Sequence, residues 1–394
     1  MSERPHVLFV DDEPMIIDGL RRMLRTCRER WAMSFAASGA AALEIMRTRP
    51  CDVVVTDYRM PEMDGAALLE QVRVEFPGTV RIILSGQTNE DNLLRIMVLA
   101  HEMLSKPTTP EMLIAAVDRL LQVRMRTDDG QQTAVAYVES LPSPPHTFAE
   151  LLAALDADDA SARSVSTVIE KDPAAAAKVL HLANSSAYTT GHKVSDVAQA
   201  VTLLGLHTVR GLVMMHDLIR VFDADGALPS EWIDGLTTHA VETSRLARLL
   251  GAGTGWESHA FTAGLLHEVG QLVLASARPK DFRTVLDAWA SGGGGLADHE
   301  EAAFEASHVQ VGTSLLGLWG LPTEVIDAIA RHTAAPAPGP IPDAAAAVAL
   351  AHVVMEADLG AVCGPHDATH PDDDHLDAAA LAAIAQWRRD RTRP

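Results

Sequence analysis

The chain has 394 residues, 47% hydrophobic and 22% charged, which exceeds what one hydrophobic core usually serves and makes two domains the starting expectation. No apolar run approaches the roughly 20 residues of a membrane span, Met1 to His6 carry no signal-peptide core, and Cys27, Cys51 and Cys363 lack metal-type spacing, so a cytoplasmic protein without disulfides or a zinc knuckle is expected. The net charge of -21 is uneven: residues 1–124 hold 15 Lys+Arg against 18 Asp+Glu, a net of -3, and the remainder carries -18, which would repel a phosphate backbone and disfavours direct nucleic-acid binding.

His6 to Val10 is a short apolar run ending in Asp11-Asp12-Glu13. Pro14 then opens a helical pattern with Ile16, Ile17, Leu20, Met23 and Leu24 on one face. The alternation repeats at 33–37 with 40–46, at 53–56 with 66–72, at 80–84 with 93–98, and at Met103-Leu104 with Met112, Leu113, Ala116, Val117, Leu120 and Leu121. Five alternating βα units predict a parallel sheet covered on both faces. The carboxyl ends of its strands gather Asp11, Asp12, Asp57, Ser85 and Lys106 on one rim, where open α/β sheets place their chemistry. Crowded carboxylates repel unless a hard cation sits among them, and Mg²⁺ takes one or two carboxylates plus waters and phosphate oxygens. A Lys and a hydroxyl beside them suit the oxygens of a transferred phosphoryl group.

On these residues, 6 to about 123 resemble a receiver domain of bacterial two-component response regulators. The resemblance implies Asp57 as phosphoacceptor, Asp11 and Asp12 with Asp57 as Mg²⁺ ligands, Ser85 as switch hydroxyl and Lys106 as phosphate-sensing lysine. It also implies a sensor histidine kinase as partner. Met60-Pro61 and Asp64-Gly65 match the family's loop signature. Met103 departs from it, standing where many receivers carry a switch aromatic.

Residues 127–133 are polar and aperiodic, which places a linker there. Leu141-Pro-Ser-Pro-Pro145 should deliver the chain extended into a helix near Phe148. From Phe148 the pattern is helical, with Asp172-Pro173 a helix start and no strand-like stretch, so an α-helical bundle follows. The expected domains are 1–124, a linker at 125–137, 138–336, and a helical extension at 337–394. His239, His267, His308 and His332 each face or border an apolar stripe at helical spacing, and His267 adjoins Glu268. Four helices contributing one His each, plus a carboxylate, is how a bundle assembles a metal site.

Phe261-Thr-Ala-Gly-Leu-Leu-His267-Glu268-Val-Gly-Gln271 resembles the HD-superfamily dyad. With Ile169-Glu-Lys-Asp-Pro173, Ala183-Asn-Ser185, Trp319-Gly-Leu-Pro322 and Arg331-His332, residues 138 to 336 are similar to the HDOD family. The fold class expected is thus a flavodoxin-like (βα)5 receiver followed by an HD-like helical bundle. The HDOD resemblance implies a domain that usually lacks catalysis and acts through protein contacts. Active HD phosphodiesterases carry His-Asp and Gly-Lys where this chain has His267-Glu268 and Gly270-Gln271; the lost Lys removes a cation suited to a phosphodiester. The expectation is a response regulator with a non-catalytic output domain, an unnamed downstream signalling protein and a homodimer left open. The alternative is a receiver-regulated HD-type phosphohydrolase acting on cyclic di-GMP or a related phosphodiester. It would hold a second metal on His239, His267, Glu268, His308 and His332. A DNA-binding regulator would need a basic recognition helix, which is missing. The four acids and three histidines from His366 to His375 read as a solvated loop.

Overall fold

The computed structural model describes residues 4–86, 99–125, 141–143, 145–157, 159–185, 193–214, 219–221, 228–292, 294–335, 339–359 and 376–391. The expectations on 93–98, 127–133 and 366–375 lie outside these residues. The chain forms two compact units, residues 1–139 with 185–191 and residues 140–184 with 192–394.

The first unit is a five-stranded parallel sheet of β1 (His6–Val10), β2 (Ala32–Ala36), β3 (Val53–Asp57), β4 (Val80–Ser85) and β5 (Glu102–Ser105), in the order β2-β1-β3-β4-β5. Strands β1, β3 and β4 are buried along their whole length, which is why they read as unbroken apolar runs rather than alternating ones. Helices α1 (Pro14–Met23), α2 (Gly39–Thr48), α3 (Gly65–Glu75) and α4 (Pro110–Met125) accompany them. Pro14 opens α1, and the Ser38 and Asp64 side chains accept the backbone N–H groups of Ala41 and Ala67 to cap α2 and α3, as fixed φ and short oxygen acceptors do at helix starts. Strand order reverses between β1 and β3, so the loops after these strands diverge and leave a crevice at their carboxyl ends. Met103 lies inside, in a core cluster with Leu8, Val10, Val54, Leu69 and Ile83.

Gly65 matters to that rim. Its N–H donates to the Tyr58 carbonyl at 2.8 Å, and a Cβ at this position would overlap the backbone carbonyl of Asp57. Only glycine lets α3 start against the strand end that carries Asp57.

The second unit is built from helices: α5 (Pro145–Asp156), α6 (Ala162–Ile169), α7 (Pro173–Asn184), α8 (Val197–Leu204), α9 (Leu206–Met214), α10 (Ser230–Leu250), α11 (Glu257–Leu266), α12 (Val269–Ala277), α13 (Pro279–Ala290), α14 (Leu296–Phe304), α15 (His308–Leu318), α16 (Thr323–Ala330), α17 (Ala344–Leu359) and α18 (Ala378–Arg391). A short parallel pair, β6 (Leu141–Ser143) with β7 (Ile219–Val221), differs from the expectation of no strand. Three residues are too few to show a period of two, so the extended Pro-rich run gave no strand signal. Helix α10 packs on α11, α17 and α18; α12 packs on α15; and α16 packs on α11, α15 and α17. Close approach of α12 to α15 depends on Gly270, where a Cβ would overlap the His308 backbone carbonyl.

Replacing Gly65 by Ala should destabilise the receiver unit by about 1–3 kcal/mol, because the clashing neighbour is backbone and cannot rotate away. Gly19→Ala, within α1 with nothing near its Cβ direction, should instead stabilise by about 0.5–1 kcal/mol. Thermal melts of the two full-length variants against wild type check both signs.

Candidate functional site

In the first unit the rim forms where the strands end. Asp11 follows β1, buried, with Oδ1 accepting the Glu13 N–H at 3.0 Å. Asp12 beside it is half-buried. Asp57 closes β3, and its register partner across β4 is Leu84, one residue before Ser85. Lys106 follows β5, held there as its N–H donates to the Ser85 carbonyl at 2.7 Å. The Lys106 ammonium lies 2.7 Å from Asp57 Oδ1 and 3.2 Å from Asp11 Oδ2. Burial pulls its pKa down, but the hydrogen bond and charge of Asp57, then Asp11, outweigh that and leave it raised. Ser85 is buried, with its hydroxyl 3.4 Å from the Gly86 carbonyl. Hard oxygen donors from two strand ends, with one ammonium between them, fit an octahedral Mg²⁺ that keeps waters and takes phosphate oxygens.

The second unit holds a different chemistry. His239 comes from the middle of α10, His267 and Glu268 from the break between α11 and α12, His308 from the first position of α15, and His332 from just past α16. All are buried. A fifth imidazole, His352, comes from α17, and sequence reasoning did not single it out. His239 Nε2 lies 3.1 Å from His267 Nε2 and 3.1 Å from His352 Nδ1, and the last two are 3.2 Å apart. Ligand nitrogens about 2.0–2.1 Å from one tetrahedral ion are about 3.3 Å apart, so the triangle has the spacing of donors around one metal.

Glu268 joins this triangle to a second group. Its Oε1 is 3.4 Å from His267 Nε2 and 3.6 Å from His332 Nε2, and its Oε2 is 3.4 Å from His308 Nε2. Two donor groups result, His239, His267, Glu268 and His352, and Glu268, His308 and His332, with the carboxylate shared. Glu268 Oε1, His308 Nε2 and His332 Nε2 are buried without a hydrogen-bond partner, which is costly unless a cation satisfies them. The donor set therefore fits divalent metal, and five imidazoles with one carboxylate suit Mn, Fe or Zn better than Mg.

The outward nitrogens of His267, His332 and His308 are held so that the inward ones can donate. His267 Nδ1 reaches the Gly264 carbonyl and His332 Nδ1 the Ile329 carbonyl, each at 2.7 Å. His308 Nδ1 lies 2.6 Å from Glu300 Oε2, and His352 Nε2 lies 3.5 Å from Glu356 Oε1. Such partners fix the tautomer and ring angle of metal-binding histidines. Burial drives His239 down to about 4 and holds His267 and His352 well below the usual histidine range, so these three are neutral donors at pH 7. Burial also lowers His308, but the Glu300 and Glu268 carboxylates outweigh it and raise the ring to about 9. Burial works against the Glu268 carboxylate, yet the charge on His308 keeps it ionised, well below its ordinary pKa. Burial and the Glu268 charge push Glu356 up to about 8.

One reading from the sequence is corrected by this geometry. The non-catalytic domain expected there is overturned, because the buried donor set is compatible with metal coordination and thus with catalysis. Gln271, which stands where the sequence showed a lost substrate cation, donates from Nε2 to Glu268 Oε2 at 2.7 Å and is itself buried. It orients the shared carboxylate. His352 and Glu356 could have been found from their i, i+4 spacing in a helix that is apolar from Ala344 to Met355 apart from His352. Glu300 gave no comparable sign in a run rich in acids.

Fold and site together define a flavodoxin-like sheet unit joined to an HD-like helical unit. The chain carries two domains in series: residues 7–118 match the Response regulator receiver domain and residues 141–335 the HDOD domain. His352 and Glu356 lie beyond that second match. A solved MmoQ response regulator from Methylococcus capsulatus is 25% identical, with a TM-score of 0.51 over 63% of this chain and 99% of that one. An uncharacterized protein of Treponema pallidum is 22% identical over 62% of this chain and 46% of its own length. The Escherichia coli transcriptional regulatory protein GlrR is 33% identical over 34% of this chain and 31% of its own. The chain thus spans less than half of these two curated relatives. Among the described residues no helix is long and apolar enough to cross a membrane.

Metal uptake should separate the two donor groups by pH. The first group carries no ligand proton above about pH 5, given His239 near 4, so its affinity should be flat from pH 6 to 8. His308, near 9, must release a proton to bind through Nε2, so the second group's affinity should fall about tenfold for each unit of pH lowered. Mn²⁺ titration with a competing chelator at pH 6, 7 and 8 reads both slopes.

Proposed function

We propose that this chain is a response regulator in which phosphorylation of the receiver controls a metal-dependent phosphohydrolase in the HDOD domain, with a phosphodiester such as cyclic di-GMP as substrate class. The observation that carries the reading is the Glu268 carboxylate shared between two groups of buried imidazoles. A divalent metal pair there would supply a Lewis acid for a phosphoryl oxygen and lower the pKa of water toward neutrality. His239, His267 and His352 would hold the first ion and His308 and His332 the second, with Glu268 facing both groups. Gln271 keeps the Glu268 carboxylate turned to face the two groups through its 2.7 Å hydrogen bond. The second group offers fewer protein donors, so more of that position is left for water and substrate.

The receiver supplies the input. Asp57 accepts the phosphoryl group from a sensor histidine kinase, and Asp11 and Asp12 beside it would hold Mg²⁺. Lys106, which bridges Asp57 and Asp11, is placed to follow the charge added to Asp57, and Ser85 at the neighbouring strand end offers a hydroxyl to a phosphoryl oxygen. Asp57 carries the covalent step of the input and Glu268 the centre of the output.

Full-length protein loaded with Mn²⁺ or Fe²⁺ should hydrolyse bis(p-nitrophenyl) phosphate and cyclic di-GMP, and Glu268→Gln should lose more than ~100-fold of that rate, since ligand loss exceeds the 10–100-fold typical of outer-shell changes. Acetyl phosphate should change the wild-type rate and leave that of Asp57→Ala unmoved. Metal-loaded protein with no turnover of either substrate would sink the hydrolase reading.

A further inference from the structure

Helix α14 turns Leu296, Glu300 and Phe304 inward and leaves Asp298 and Glu301 outward. Positions 296, 300 and 304 form a single i, i+4, i+8 stripe, so packing alone would place an apolar side chain at 300. A carboxylate there is expensive to bury unless it is paired and hydrogen-bonded. Glu300 is fully buried, and its Oε2 takes both of its hydrogen bonds from one residue, the backbone N–H of His308 at 2.8 Å and His308 Nδ1 at 2.6 Å. Its Oε1 has no hydrogen-bond partner.

The ordinary explanation is that Glu300 caps α15, but that helix start is already served. Ser307 and Gln310 form a reciprocal capping box, in which the Ser307 N–H donates to Gln310 Oε1 at 2.9 Å and the Ser307 hydroxyl accepts the Gln310 N–H. What Glu300 adds is a grip on the His308 ring. Two bonds to a single oxygen fix both the backbone and the Nδ1 edge, which leaves Nε2 directed at Glu268 Oε2, 3.4 Å away. The other imidazole of that group, His332, is held by a neutral backbone carbonyl. With only two imidazoles and a shared carboxylate, this position depends more on each donor than the three-imidazole position does.

We propose that Glu300 is a positioning residue for the second metal position, holding His308 as its donor and so setting how tightly that ion binds and how much free metal hydrolysis requires. The inference rests on the hydrolase reading above and reaches past it to the occupancy of one of the two positions.

Mn²⁺ alone is titrated into full-length wild type, Glu300→Gln and Glu300→Ala, with melting temperatures taken metal-free. Wild type should bind two ions. Glu300→Gln keeps size and one acceptor, so it should melt as wild type does and bind the first ion equally, with the second 10–100-fold weaker. Glu300→Ala should lose the second ion, and excess Mn²⁺ should restore the Glu300→Gln hydrolysis rate to the wild-type kcat. Two wild-type affinities in Glu300→Gln would overturn the positioning role while leaving the hydrolase reading standing. Equal weakening of both ions with a lowered melting temperature would also overturn it, in favour of a structural role. Fewer than two ions on wild type would remove the hydrolase reading and this inference together.

Discussion

A single buried carboxylate, Glu268, faces imidazoles from several helices, and the interior of the helical unit is arranged around the need to compensate it. An ionised carboxylate without partners cannot be kept in such a place. Here the charge of His308 answers it, Gln271 holds one oxygen, and the other faces His267 and His332. Each requirement becomes a packing requirement. The chain must break between α11 and α12 to present His267 and Glu268 side by side, and α15 must touch α12 for His308 to arrive, which is the contact that Gly270 permits. Helix α17 must lie against α10 and α11 to deliver His352. Helix α18 supports that arrangement, since the Trp387 indole N–H donates to Glu242 of α10 at 2.7 Å.

The two units concentrate charge by opposite means. On the receiver rim the donors are carboxylate oxygens at strand ends, with Asp11 and Asp57 buried and Asp12 and the bridging ammonium partly open to water, which suits a hard ion exchanged with solvent and a phosphoryl group that comes and goes. In the helical unit the donors are mainly imidazole nitrogens sealed inside a bundle, three of them stripped of their protons by burial. That suits a transition ion kept in place. One chain thus carries an acidic rim and a buried nitrogen-rich donor set, each with the solvent access of its fold.

The receiver was legible because its chemistry is written in local order. Each strand is a short apolar run, each site residue stands at the end of one, and the sheet rule places all strand ends on one rim. The helical unit was legible only in part. His239, His267, His308 and His332 announced themselves by helical register, but His352 and Glu356 lie beyond the HDOD segment, and Glu300 sits among exposed acids from which one-dimensional pattern cannot separate it. The type of Gln271 told of a missing cation, whereas its direction, toward Glu268, is a property of the packed helix.

The sequence by itself determined the class of each unit, the alternation that makes a sheet, the periodicity that makes a bundle, and which side chains turn inward. These are short-range properties, set by hydrophobic period and by capping residues. Only the tertiary structure decided that five inward histidines gather about one carboxylate, and that Glu300 from a neighbouring helix holds His308 in place. Helices separated by as many as 113 residues, as α10 and α17 are at His239 and His352, meet through crossing angles and close backbone contacts that no periodicity encodes.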